Sequence, residues 1–277
     1  MVVHAFYATD SGGFTLMTRP VRLNRLFAAD GRCFDVAVDH GFFGEEAFLA
    51  GIEDLGRAVE TLVDAAPDAI QLSPGQAPLL QERVGPKPAL VMRTDVANVY
   101  GQTHPGHLFS ELVDAAVERA LYLDAACVVV NLLQLPGEPS LLRECIRNVS
   151  ALKAACEPVG MPLMVEPLAF KCDERGYGSD GDKSKIVSLV RQAVELGADV
   201  IKADPTDDLD EYPQVLEAAG PRPLLVRGGS RGSEEELFER TRTVLKMGAA
   251  GIVYGRNVIQ HHDPKQITKR LMEVVHG

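Results

Sequence analysis

Residues 196–202 read LGADVIK, and related stretches occur at three other places: MGAAGIV from Met247, LDAACVV from Leu123 and DAAPDAI from Asp64. In these stretches a glycine or an aspartate ends a helical segment, small residues form the turn, and a run rich in β-branched residues begins. Because the same joint recurs along the chain, we predict a repeated βα unit.

Outward from these joints, short apolar runs predict the strands. They lack the polar alternation of a half-exposed sheet, which is typical of parallel strands covered on both sides. The predicted strands are Phe34–Val38, Asp68–Leu72, Ala89–Arg93, Cys127–Asn131, Pro162–Glu166, Asp199–Ala203, Pro223–Arg227 and Gly251–Gly255. A 277-residue chain with this pattern predicts the α/β class and a single (β/α)₈ TIM barrel. An open doubly wound sheet is the weaker alternative, because no GxGxxG follows the first strand.

The segments between the strands have helical spacing. Gly106–Asp124, Ser184–Leu196 and Glu234–Met247 each place apolar residues on one face and are predicted helices. Ser233 precedes three glutamates, so we predict that it caps the N-terminus of the helix Glu234–Met247.

We predict one domain over residues 1–277, with an N-terminal extension at 1–30 and the barrel at 34–277. The extension either covers the bottom of the barrel or is partly disordered. The polar, glycine-rich stretch Lys171–Lys183 follows the fifth strand and is predicted to be a mobile loop at the C-terminal mouth.

The composition is acidic and limits the classes of partner. With a net charge of −11 and a pI near 5.1, the chain offers no global attraction for nucleic acid or an anionic membrane. Five scattered cysteines without CxxC spacing favour reduced thiols over disulfides or a zinc site. We expect no secretory signal and no membrane span, and therefore a cytoplasmic protein without nucleic-acid or membrane partners.

The ends of the predicted strands carry the candidate site, because the active sites of TIM barrels lie at the C-terminal ends of their strands. Alternation along the sixth strand puts Val200 and Lys202 on the face opposite Ile201 and Ala203, so Lys202 is predicted to point into the barrel. A buried lysine is costly unless it is paired or neutral, and a neutral lysine attacks carbonyl carbons. A structural ion pair with an acidic strand end remains the alternative.

Two carboxylates at strand ends are candidates for moving protons. Asp39 ends the first strand beside Gly41, and Glu166 ends the fifth strand before Pro167. Their purely structural interpretations are an Asx turn for Asp39 and an ion-pair partner of Lys202 for Glu166.

Glycine-rich turns after the seventh and eighth strands predict a phosphate site. Barrels often hold a phosphate between these two loops through backbone N–H groups. The predicted phosphate-binding residues are Gly228, Gly229, Ser230, Gly255 and Arg256.

Further strand-end residues are predicted to contribute to substrate binding. Arg93, Asp95 and Asn131 are predicted to set the choice of substrate by binding hydroxyls or a carboxylate, and Asp204 is either a second acid or a turn residue. His261–His262 is predicted to lie in a solvated loop. Because the chain has no HxH or HExxH motif, we predict no metal site and no cofactor.

These motifs resemble those of the archaeal-type class I fructose-bisphosphate aldolases, a group that includes the aminodideoxyheptulosonate synthases and the related deoxyribose-phosphate and tagatose-bisphosphate aldolases. The resemblance rests on Asp39–Gly41, Asp199–Lys202, Arg227–Ser230 and Gly248–Gln260. It implies that Lys202 is the Schiff-base lysine, that Asp39 assists proton transfer, and that the protein is a homo-oligomer. It also implies phosphate contacts from Gly229, Ser230, Gly255 and Arg256.

One position departs from the archaeal pattern, in which a Tyr-Pro-Arg-Gly motif follows the fifth strand. Here the sequence reads Glu166-Pro167-Leu168, which is more similar to the tagatose-bisphosphate aldolases, so we assign the acid/base role to Glu166.

The resulting prediction is a metal-independent class I aldolase, an aldehyde-lyase whose partner is a small-molecule sugar phosphate. The substrate is predicted to be a phosphorylated ketose or keto-sugar acid, such as fructose 1,6-bisphosphate or a deoxy-keto-gluconate phosphate. There are two alternatives. One is a transaldolase or thiolase-like lyase that uses the same lysine, and the other is a non-catalytic barrel that binds a sugar phosphate.

Overall fold

A computed structural model describes residues 20–100, 107–174, 176–229 and 232–277. Within these residues, eight parallel strands form a closed barrel, as the sequence predicted. The barrel strands are β1 (Cys33–Ala37), β2 (Ala69–Leu72), β3 (Ala89–Arg93), β6 (Cys127–Gln134), β7 (Leu163–Asp173), β9 (Val200–Ala203), β10 (Leu224–Arg227) and β11 (Gly251–Tyr254). Pairing of β6 with β7 closes the ring.

Helices connect the strands and cover the outside of the barrel. They are α1 (Leu55–Ala65), α2 (Pro78–Gln81), α3 (Ala116–Tyr122), α4 (Pro139–Cys156), α5 (Lys183–Glu195), α6 (Tyr212–Ala219), α7 (Glu234–Met247), α8 (Arg256–Ile259) and α9 (Pro264–His276). Ser233 accepts a hydrogen bond from the backbone of Glu236, whose side chain accepts one from the backbone of Ser233, so the predicted cap is a full capping box. Among the described residues, no helix is both long enough and apolar enough to cross a membrane.

The four repeated joints share one backbone feature. Ala66, Asp124, Gly197 and Gly248 all have positive φ, from 52° at Asp124 to 114° at Gly248. The left-handed residue turns the chain back toward the barrel, where the next strand begins. The recurring sequence phrase therefore marks a recurring backbone conformation, although an alanine occupies it once.

Two predictions about the connections were wrong. The segment Gly106–Asp124 is helical only in its second half, because β5 (Ser110–Leu112) pairs antiparallel with β4 (Asp95–Ala97) and leaves α3 to begin at Ala116. The stretch Lys171–Lys183 is largely a hairpin, because β7 continues to Asp173 and pairs with β8 (Gly176–Ser179). In both places cross-strand hydrogen bonds replace the predicted local structure.

The barrel interior has an apolar lower layer. Alternate residues of the strands point inward and pack together there: Cys33, Ala37, Ala69, Val91, Cys127, Val129, Met164, Val200, Leu225 and Val253. Leu23, Leu26 and Phe27, from the segment before β1, pack into the same cluster. This part of the predicted extension therefore covers the bottom of the barrel, whereas residues 1–19 lie outside the described residues.

All five cysteines are free thiols. Four are buried in the core, and burial raises the pKa of Cys145 and of Cys156 to about 12. These thiols are packing residues, as the absence of metal-type spacing predicted.

Candidate active site

Polar side chains form a ring above the apolar layer. Each lies two residues beyond an inward-facing apolar residue of its strand, so alternation aims it into the barrel. The ring consists of Asp39, Gln71, Arg93, Asn131, Glu166, Lys202 and Arg227. All except Arg227 are at most 3% exposed. Buried polar groups need partners. Six of the ring residues pair with one another, and Asn131 donates to Asp95 outside the ring.

Lys202 lies on the inner face of β9, because Val200 packs inside the barrel whereas Ile201 and Ala203 pack against the helices. Its Nζ lies 3.0 Å from Oε2 of Glu166 and donates to Oε1 of Gln71 at 3.2 Å. The amine is thus on the predicted side of the strand. Its pairing with Glu166 is the ion pair that the sequence offered as the alternative, and both side chains line a cavity.

Glu166 contacts three cations. Its Oε2 accepts from Arg93 at 2.5 Å and lies beside Lys202, and its Oε1 lies 3.0 Å from Nε of Arg227. Burial alone would raise the pKa of Glu166, but Lys202, Arg93 and Arg227 hold it well below its usual value. The carboxylate is therefore ionised at neutral pH and suited to holding a positive charge.

Asp39 is connected to Lys202 by hydrogen bonds through Gln71. Its Oδ2 accepts from Nε of Arg93 and from Nε2 of Gln71, each at 2.7 Å. Burial opposes ionisation, but Arg93 and then Lys202 lower the pKa of Asp39 overall. This second carboxylate also lines the cavity in its charged form.

Three of the predicted substrate-binding residues lie behind the cavity surface. Asp95 accepts from Nδ2 of Asn131 at 2.8 Å and from Arg93 at 3.3 Å. Asp204 accepts two hydrogen bonds from Nη1 of Arg227, both at 3.1 Å. These side chains orient the arginines, and Arg93 itself lines the cavity.

The cavity opens at the C-terminal ends of the strands. The loops after β10 and β11 form one side of it, with Gly228, Gly229, Gly255 and Arg256 at its surface. A Cβ at Gly255 would lie 2.5 Å from Cε1 of His40, so any other residue there would displace the His40 ring or the loop. Ser230, also predicted to bind phosphate, lies outside the described residues.

Comparison with known proteins now identifies the family. The model of the DeoC/LacD family aldolases matches residues 33–261, which span the whole barrel. The chain belongs to this family of aldolases. The predicted resemblance to class I aldolases is confirmed at this level.

Individual proteins that are similar to this chain include an aldolase, a synthase and a solved aldolase structure. An uncharacterized aldolase of Saccharolobus solfataricus is 32% identical over 92% of this chain and 93% of its own length. A 2-amino-3,7-dideoxy-D-threo-hept-6-ulosonate synthase of Halobacterium salinarum is 26% identical over 97% of this chain and 93% of its own length. A solved Schiff-base-forming fructose-1,6-bisphosphate aldolase, 25% identical, superposes with a TM-score of 0.76 and covers 92% of this chain and 98% of its own.

Several residues at the aldolase cavity were not among the predicted site residues. Gln71 joins Lys202 to Asp39, Arg227 joins Glu166 to Asp204, and Tyr100 enters from the segment after β4. The first two could have been found as polar residues at inward positions of apolar strands. Tyr100 carries no such signal, because its position depends on the path of the chain after β4.

The cavity also has an aromatic wall, formed by Phe43, Phe48 and Tyr100. The guanidinium of Arg256 lies 4.6 Å from the ring centroid of Phe48. Beside it, burial lowers the pKa of His40 to about 4, so this imidazole is neutral. The contact with Phe48 helps to position the guanidinium of Arg256 at the cavity.

His261 and His262 lie outside this cavity. Together with Glu234 they place potential ligand atoms within 4.8 Å of one another. Glu234, however, is already paired with Arg270 and with His261. We assign the group no part in the site.

Proposed function

We propose that this chain is a class I aldolase that makes or breaks a carbon–carbon bond in a phosphorylated ketose or keto-sugar acid through a Schiff base on Lys202. The observation that carries the proposal is the position of Lys202, with its amine inside the barrel, at a cavity that the glycine-rich loops also line. The similarity to a solved Schiff-base-forming fructose-1,6-bisphosphate aldolase supports the same chemistry.

The reaction begins when the neutral amine of Lys202 attacks the substrate carbonyl and forms a carbinolamine. Loss of water gives an iminium, which draws electrons from the carbon–carbon bond to be broken while the hydroxyl on the far carbon of that bond loses its proton. Glu166 lies 3.0 Å from Nζ and is ionised, so it stabilises the positive charge of the iminium that forms on Lys202.

Binding of the phosphate supplies orientation. We assign it to the loops that carry Gly228, Gly229, Gly255 and Arg256, where glycines allow close approach to the backbone and Arg256 adds a fixed charge. Anchoring the phosphate there would hold the carbonyl at Lys202 throughout the reaction.

The test is a cleavage screen over ketose phosphates and phosphorylated keto-sugar acids, with detection of the aldehyde released. We expect turnover of at least one substrate and its loss in Lys202→Met. Lys153→Met is the matched control, because Lys153 pairs with Asp199 outside the cavity. Equal turnover by wild type and Lys202→Met would reject the proposal.

A further inference from the structure

We propose that the hydroxyl of Tyr100 is the proton donor and acceptor of this reaction, an inference that rests on the proposed function. Tyr100 lines the same cavity as Lys202 and Glu166. The aldol reaction needs a group that gives a proton to the departing hydroxyl of the carbinolamine and later takes one from the substrate.

The ring of Tyr100 is held on three sides. Its centroid lies 5.1 Å from that of Phe43, 5.3 Å from that of Phe48 and 5.5 Å from that of Phe170, each in an edge-to-face arrangement. Such packing restricts the ring to one orientation, so the position of its hydroxyl is set by the fold.

The hydroxyl is connected to Glu166, and through it to Lys202, by the guanidinium of Arg227. Its oxygen accepts a hydrogen bond from Nη2 of Arg227 at 3.2 Å, and Nε of the same guanidinium lies 3.0 Å from Oε1 of Glu166. The two nitrogens are bonded to one carbon, so the phenol is a neighbour of the carboxylate that contacts Lys202. Because a guanidinium only donates, the O–H hydrogen of Tyr100 can be donated to a substrate.

The carboxylates of the cavity are poor donors, so the acid/base role that the sequence assigned to Glu166 moves to Tyr100 in this proposal. Their arginine and lysine neighbours lower the pKa of Glu166 and of Asp39, so both lack a proton at neutral pH. Burial raises the pKa of Tyr100 to about 12, so the phenol keeps its proton. His40 is neutral as well, but its ring lies against Gly255 in the loops assigned to the phosphate.

Tyr100 gives up one proton and takes one back in the course of the cleavage. As the nitrogen lone pair of the carbinolamine forms the C=N bond, the C–O bond breaks and the leaving oxygen takes the phenolic proton, giving water. The phenolate that remains is stabilised by Arg227. It then takes the proton of the substrate hydroxyl as the carbon–carbon bond breaks, which restores the phenol and releases the aldehyde while the bonding pair forms an enamine on Lys202.

The experiment measures how fast a borohydride-reducible iminium forms with dihydroxyacetone phosphate. Samples are quenched with borohydride at successive times, and the fraction of protein that carries the reduced adduct is measured by mass spectrometry. Tyr100→Phe keeps the ring but removes the proton, and we expect iminium formation to slow by roughly 10²- to 10⁴-fold. Tyr122→Phe is the control, because that side chain is 90% exposed. Stabilisation against heat by the same ligand should be unchanged in both variants.

A second measurement separates proton transfer from packing. Replacement of Tyr100 by 3-fluorotyrosine acidifies the phenol with little change in size, so the alkaline limb of the rate profile should move to lower pH. The charged groups that act on this phenol stay in place: Arg227, Glu166, Asp204 and Arg93. An unmoved alkaline limb would contradict the inference.

The two proposals fail in different ways. Iminium formation at the wild-type rate in Tyr100→Phe overturns the role of Tyr100 and leaves the Schiff base intact. Wild-type protein that turns over substrate without any reducible adduct overturns the Schiff base, and the role of Tyr100 with it.

Discussion

Lys202 donates a hydrogen bond to Gln71, with 3.2 Å between Nζ and Oε1. The other end of the same amide donates to Asp39 at 2.7 Å. A side-chain amide has one accepting and one donating end, so Gln71 can serve an amine and a carboxylate at once only in this orientation. It thereby fixes the direction of the Lys202 amine without adding a charge to the barrel.

Gln71→Leu should slow Schiff-base formation while leaving the fold intact. The substitution leaves Lys202 and Asp39 each without one buried partner, a loss of about 1–3 kcal/mol for such a group. We expect iminium formation to slow by about 10- to 100-fold. The borohydride time course measures this, with Gln81→Leu on α2 as the control. An unchanged rate would show that Gln71 has no positioning role.

Gly255→Ala should weaken the binding of phosphorylated substrates in particular. The added Cβ would press on the His40 ring and displace the loop after β11. We expect KM for a phosphorylated substrate to rise while the KM of its unphosphorylated analogue changes little. Gly75→Ala is the matched control, because a Cβ there meets no atom within 4 Å. An equal rise for both substrates would place the phosphate elsewhere.

Much of this architecture is present in the sequence because burial dictates it. Parallel strands covered on both sides must be apolar, so each predicted strand overlaps an observed one and fourteen of the sixteen ends agree within one residue. The sequence predicts Lys202 on the inner face because neighbouring residues of a strand point to opposite sides, and the apolar Ile201 and Ala203 face the helices. Strand alternation and barrel closure together specify these positions.

Other parts depend on contacts between distant segments. The hairpin of β4 and β5 is formed by cross-strand pairing, which the helical spacing of Gly106–Asp124 did not reveal. Tyr100 reaches the cavity because Phe43, Phe48 and Phe170 come from other elements to enclose its ring. No local pattern of residues encodes such an arrangement.

Asp35→Asn should remove a pH-dependent loss of stability. Asp35 is fully buried on the inner side of β1, neither of its carboxyl oxygens has a hydrogen-bond partner among the described residues, and burial raises its pKa from 3.8 to about 7. The folded protein holds this proton while the unfolded chain releases it, so the free energy of unfolding falls as pH rises between these two values and stays reduced above them.

The measurement for Asp35 is Tm as a function of pH. The asparagine variant should melt at a higher temperature than wild type above pH 7, and the difference should shrink toward acidic pH. Asp64→Asn, which changes an exposed side chain, provides the comparison. Parallel curves for wild type and Asp35→Asn would contradict the assignment.

His276→Gln should destabilise the protein mainly at acidic and neutral pH. Burial lowers the pKa of His276, but contacts with Asp30 at 2.7 Å and Asp68 at 2.9 Å raise it overall above 6.5. A raised folded pKa means that the stabilisation is complete below the unfolded value and is lost as pH rises through the folded one. Melting curves at pH 6 and pH 9 check this. The variant should lose several degrees at pH 6 and little at pH 9, whereas a greater loss at pH 9 would contradict it.

The central claim is that Lys202 bonds covalently to the substrate carbonyl. Its most direct test is reduction of the wild-type protein with borohydride in the presence of dihydroxyacetone phosphate, followed by digestion and mass mapping of the modified peptide. The account predicts one reduced adduct, on Lys202, that is absent from Lys202→Met. An adduct confined to another lysine, or catalytic turnover with no reducible adduct, would contradict it.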